Sequence, residues 1–214
     1  MLSELLVRNH MKTLFALMGL ALLVAGTPQF AEAAETRWYD VEVIIFSHNS
    51  QQYRNSELWP VDYELPPMGV TQALLPARSS GGKPVAFSRL DTNSLRLKSQ
   101  ANRINSAKDM ELLLHMGWRQ PGLSEDKAVA IRLDGASSQR LSGTLKLVLS
   151  RYLHINTDLI YREPRTGEDT SGVSTQPRYQ AYNLKQSRRM RSRELHYLDH
   201  PLFGMAIMVT PYGG

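Results

Sequence analysis

Four arginines crowd the stretch Arg188-Arg189-Met190-Arg191-Ser192-Arg193. A guanidinium is planar, always charged, and presents paired N–H donors that match a carboxylate or a phosphate. In a β-strand alternate residues share a face. The tract therefore predicts Arg189, Arg191 and Arg193 in a row on one face of a strand, with Arg188 on the other. Such a row is an anion receptor. The plainer explanation is a solvated edge strand kept from sticking by charge. For any single arginine that explanation leads; for the cluster, ligand binding does.

Three further groupings carry possible chemistry. His196, Asp199 and His200 fall together before Pro201, and His and Asp are metal ligands. On a strand, however, His196 and His200 stand about 13 Å apart at ~3.3 Å per residue, too far for one ion. The better reading is a structural corner of His196, Asp199, His200 and Pro201, with the Asp side chain bonding backbone N–H groups, and no metal. His115, Trp118 and Arg119 end another strand; an aromatic ring beside an arginine can cradle a sugar, though a buried Trp and a paired Arg is the more ordinary outcome. Arg151 interrupts an apolar face, which predicts a structural ion pair. No G-x-S-x-G, H-E-x-x-H or G-x-G-x-x-G is present and cysteine is absent, so these enzyme and cofactor motifs are not met. A pair of carboxylates distant in sequence, as in glycosidases, stays open.

The elements that must position these residues follow from periodicity. Leu141–Tyr161 alternates apolar and polar positions throughout, from Leu145 and Leu147 to Leu159 and Tyr161. That is strand spacing, but the run exceeds the usual ~5–6 residues, so it predicts a long central strand, bent or shared between two parts of a sheet. Arg37–Phe46 is a first strand. Asp91–Ala107 is the helix, with Leu97, Ala101 and Ile104 on one stripe. Met110–Trp118 places Leu112, Leu114, Met116 and Trp118 on one face. Ala128–Leu133, a returning strand Tyr179–Leu198 and a closing strand Met205–Thr210 complete the set. Ser47–Pro84 and Glu163–Arg178 are Pro- and polar-rich loops. The order predicts α+β: an antiparallel sheet with long hairpin strands and one main helix packed on one face.

The chain of 214 residues carries 25 Lys+Arg against 20 Asp+Glu, a net charge of +5. Arg8 and Lys12 precede the apolar run Leu14–Ala25, and Ala31-Glu32-Ala33 offers a small-x-small cleavage site. These are the parts of an export signal. Residues 1–33 are thus expected to be a signal peptide, with Met1 or Met11 as the start, and 34–214 a single mature domain. The apolar run is shorter than the ~20 residues that span a bilayer, so the mature chain is expected to have no membrane span. An exported protein seldom meets nucleic acid, whereas the acids of peptidoglycan lie in the same compartment.

With those residues in hand, the chain resembles the CsiV family of periplasmic peptidoglycan-binding proteins. The segments that carry the resemblance are Trp38–Phe46 (WYDVEVIIF), Leu113–Pro121 (LLHMGWRQP), Gly143–His154 (GTLKLVLSRYLH) and Arg188–Gly204 (RRMRSRELHYLDHPLFG). The resemblance implies a non-enzymatic periplasmic protein without a cofactor. Its implied partners are peptidoglycan and the outer-membrane lipoprotein activator of a bifunctional penicillin-binding protein, in support of cell-wall synthesis and cell shape. The ligand-binding candidates are Arg188, Arg189, Arg191, Arg193, Trp118 and Arg119. A wall hydrolase using scattered carboxylates, and a structural envelope subunit that never touches glycan, remain the alternatives.

Overall fold

Alternating apolar residues build two sheets here, not one. In the computed structural model, residues 36–49, 71–77, 83–134, 140–164 and 179–213 are described. Their strands are β1 (Trp38–His48), β2 (Thr71–Gln72), β3 (Ser88–Arg89), β4 (Met110–Pro121), β5 (Ala130–Arg132), β6 (Leu141–Leu149), β7 (Leu153–Pro164), β8 (Tyr179–Met190), β9 (Leu195–His200) and β10 (Phe203–Tyr212). A helix, α1, covers Lys98–Ser106. The first sheet has the order β3-β4-β1-β10-β9 and the second β2-β5-β6-β7-β8. Pairing is antiparallel except between β2 and β5.

The α+β class holds, with helix a minor component. The two sheets share one core. Val41, Val43 and Ile45 of β1, Trp118 of β4 and Met205, Ile207 and Val209 of β10 pack in a single cluster with Leu145, Leu147, Ile155, Leu159 and Tyr161 of the second sheet. The opposite face of the first sheet buries Ile44, Phe46 and Ala206 against Leu97 and Ala101 of the helical segment. The expected stripe of Leu97, Ala101 and Ile104 is the one that packs there. The layers are therefore helix, sheet, sheet.

Four expectations need correction. Leu141–Tyr161 is not one strand: it turns at Ser150–Tyr152, and β6 pairs antiparallel with β7, Leu149 opposite Leu153 and Leu141 opposite Tyr161. A three-residue connection keeps the parity of the inward positions, so the period runs unbroken through the turn. Arg151, the one charged residue in the apolar phase, stands at the turn and is exposed; among the described residues no ion pair holds it. In β4 the pairing with β1 shifts between Ile45–Leu114 and Phe46–Leu112. That bulge at Leu113 puts Leu112 on the helix side and leaves Leu114, Met116 and Trp118 facing the other sheet. The proposed strand Tyr179–Leu198 also divides: β8 ends at Met190 in the second sheet and β9 begins at Leu195 in the first.

Gly143 in β6 has φ +147°, and a Cβ there would meet the Asp158 carbonyl oxygen at 2.2 Å. Glycine alone lets β7 approach this closely. By contacts the chain divides into Met1–Glu35 and Thr36–Gly214. The expected signal segment, 1–33, lies outside the described residues.

Candidate functional site

The break after Met190 decides what the arginine tract can do. Cross-strand partners point to the same side of a sheet, so Arg188, opposite the buried Ile155, lies in the core-facing phase, and Arg189, opposite His154, in the outward phase. At this sheet edge Arg188 does not enter the core. Its Nη1 donates to the Tyr197 carbonyl at 3.0 Å, while Gln186 Nε2 donates to the Asp199 carbonyl at 3.3 Å. These two side chains sew the edge of the second sheet to β9 of the first.

Arg191 and Arg193 belong to the turn that carries the chain from one sheet to the other. The Arg191 N–H donates to His196 Nε2 at 3.2 Å, and its guanidinium lies 3.6 Å from Glu194, both side chains well exposed. The Arg193 N–H donates to the Val209 carbonyl at 2.8 Å, and its φ is 65°. That left-handed backbone is costly for any residue with a Cβ. The single strand face bearing Arg189, Arg191 and Arg193 therefore does not exist. What exists is a basic tip: Arg188, Arg189, Arg191 and Arg193 are all exposed, gathered where β8 ends.

The turn between β6 and β7 comes to the same place, because Leu153 pairs with Met190. It adds Arg151 and the half-exposed Tyr152. The Arg189 guanidinium lies 3.4 Å over the Tyr152 ring and that of Arg151 5.5 Å from it. A cation over a ring face is attracted by the quadrupole, a contact made through the guanidinium face that leaves its in-plane N–H donors uncommitted to the ring. Among the described residues no carboxylate forms an ion pair with Arg151, Arg188 or Arg189. Tyr152 had no role in the sequence reading; its exposed place beside a polar turn residue was the available signal.

The second arginine candidate is built differently. Trp118 is fully buried and donates from Nε1 to Gln120 Oε1 at 2.7 Å. It offers no ring face to a ligand, so the sugar-cradle expectation for Trp118 fails. Arg119 is held bidentately by Asp40, Nε to Oδ1 at 2.6 Å and Nη2 to Oδ2 at 3.0 Å, and its guanidinium lies 3.4 Å over the Tyr212 ring. Nearby, the buried Glu42 accepts the backbone N–H groups of Arg96 and Leu97 at 2.7 and 2.9 Å, and lies 2.8 Å from His115 Nε2. Leu97 caps α1 without a side-chain bond of its own. Glu42 thus caps the helix from a neighbouring strand, a role the local sequence does not reveal.

The corner falls at Pro201–Leu202, between β9 and β10. The side chain that bonds its backbone is that of His200, whose Nδ1 accepts the Leu202 N–H at 3.2 Å. The Asp199 carboxylate, expected in that role, lies instead 3.8 Å from His48 Nε2. His196 serves the preceding turn through Arg191. Among the described residues no group of three His, Cys, Asp or Glu is placed to hold a metal, and no helix is long and apolar enough to cross a membrane.

Fold and site together define an α+β domain of two packed sheets with an exposed cationic tip. The family model described as "Peptidoglycan-binding protein, CsiV" matches residues 15–212. The chain belongs to the CsiV family. No curated protein and no solved structure matches it.

Proposed function

We propose that this protein is an exported, non-enzymatic adaptor that grips the acids of peptidoglycan with the basic tip formed by Arg151, Tyr152, Arg188, Arg189, Arg191 and Arg193. The observation that carries the reading is the contrast in neutralisation at the tip. Arg189 and Arg151 gather on an exposed tyrosine with no carboxylate partner among the described residues. Arg193 adds a second argument, because a guanidinium stands at a φ of 65°, where glycine would be less strained. Wall carboxylates meet these groups as charge-assisted hydrogen bonds. Arg119, already paired with Asp40, supports the scaffold and does not touch the wall.

The family description supports wall binding; the rest extends it. The mature domain works in the periplasm after loss of residues 1–33. A surface away from the tip docks the outer-membrane lipoprotein activator of a bifunctional penicillin-binding protein, so that the synthase is held at the wall. Sedimentation with purified sacculi tests the reading, comparing the wild type with Arg189, Arg191 and Arg193 changed together to Ala. The wild type co-sediments at low salt and the triple variant does not. Equal retention of the two removes the tip from the mechanism, and release of muropeptides by the purified protein would make it a hydrolase.

A further inference from the structure

The outward face of the second sheet carries more than the tip. Two adjacent cross-strand rows run over it. One is Ala130, Lys146, Asn156 and Ser187; the next includes Thr144, Asp158 and Lys185. Strands stand ~4.8 Å apart, so short side chains flanked by two lysines leave a trough. A cavity of about 370 Å³ lies along these rows. Its charges alternate: Lys146 at one side, Asp158 in the middle, Lys185 at the other.

Each charge has an internal partner that is easily exchanged. Lys146 pairs with Glu125, and Lys185 Nζ lies 3.3 Å from Asp158 Oδ2. Glu125 and Lys185 are 67% and 75% exposed, and ion pairs in such positions contribute little. Asp158 is better held, 18% exposed and accepting Asn183 Nδ2 at 2.8 Å. It is the fixed group of the set. The opposite phase of the same strands, Leu145, Leu147, Ile155 and Leu159, is locked in the core, so the trough has a rigid floor.

We infer that this trough is a peptide site, taking a short peptide that bears an ammonium between two carboxylates. The ammonium meets Asp158, the carboxylates meet Lys146 and Lys185, and Asn156 and Ser187 bond the peptide backbone. In the wall this chemistry belongs to the stem peptide, whose diamino acid carries a free amine beside carboxylate groups. The inference rests on the wall-binding reading and divides its labour: the arginine tip holds acids in general, and the trough requires the amine. Lys185 and Arg189 lie on the same face of β8, so one strand serves both.

The test is calorimetric titration of the full mature protein with three soluble fragments: a disaccharide-tetrapeptide, the same fragment N-acetylated at the diamino acid, and the peptide-free disaccharide. The free-amine fragment binds, and the other two bind at least roughly tenfold more weakly, the cost of one charge-assisted contact. Asp158→Asn, which keeps an acceptor for Asn183, and Lys185→Ala, which removes one lysine–carboxylate contact at an exposed site, each weaken the free-amine fragment by a similar factor. Sacculus retention of the wild type separates the two ideas. A wild type that leaves sacculi in the supernatant defeats wall binding itself. Firm retention, with the acetylated fragment bound as well as the native one or with both variants unchanged, defeats the trough alone.

Discussion

Arg119 and Arg189 each lie 3.4 Å over a tyrosine ring, yet they do different work. Arg119 also grips both oxygens of Asp40 in a half-buried cluster on the first sheet. Its charge is spent within the protein. Arg189 has Tyr152 beneath it, an exposed turn beside it, and no carboxylate partner among the described residues. The ring fixes the position of a guanidinium in both places; the carboxylate decides whether that guanidinium is structural or available. The same division runs through the whole fold. The outer face of the first sheet is closed by α1 and capped by Glu42. The outer face of the second sheet carries Lys146, Asp158 and Lys185 in a trough.

If the first sheet's outer face is a closed scaffold, its carboxylates matter most for stability. Glu42→Ala removes the cap from two backbone N–H groups and the partner from His115, and is expected to cost about 3 kcal/mol. Urea unfolding measures this; a loss below roughly 1 kcal/mol would show that water replaces the cap. Asp40→Ala strands Arg119 in a half-buried position and should cost about 2 kcal/mol, with sacculus retention preserved. A variant that kept its stability and lost the wall would move the binding surface to the first sheet.

The tip should respond in the opposite sense. Arg193→Gly relieves a left-handed backbone and is expected to raise stability by about 1 kcal/mol, read as an increase in the urea midpoint. A fall in that midpoint would mean that contacts of the Arg193 side chain outweigh the strain. Arg189→Ala should change stability by no more than about 0.5 kcal/mol, as befits an exposed position, while lowering sacculus retention. Retention equal to that of the wild type would make the stack on Tyr152 an ornament of the turn.

Much of the fold was legible in the alternation of apolar residues, because burial on one side of a strand dictates the period. The sites of the strands beginning at Trp38, Met110 and Phe203 follow from that rule, and the Leu97–Ile104 stripe from its helical counterpart. Breaks between strands were less legible. The turn at Ser150–Tyr152 preserves parity, so only the length of the run and Arg151 betrayed it. At the end of β8 the apolar phase shifts, from Tyr182, Leu184 and Met190 to Leu195 and Tyr197; a bulge within one strand and a change of sheet produce the same shift, and the polar tract between gives no way to choose. The arginine cluster was visible, but its geometry was not, since a turn and a strand arrange the same residues differently. Trp118 was the reverse case: its type suggested a ligand platform, and its zero exposure made it core. Glu42 was out of reach altogether, because the N–H groups it caps lie more than fifty residues along the chain.

The division between spent and available charge is tested most directly by sacculus sedimentation over a salt series. Exposed ionic contacts weaken as the screening length falls from about 10 Å at 0.1 M to about 3 Å at 1 M. The account predicts that wild-type retention declines steeply with salt, that Arg151→Ala with Arg189→Ala abolishes most of that slope, and that Asp40→Ala leaves it intact. A double tip variant whose retention follows the wild-type curve at every salt concentration would contradict it.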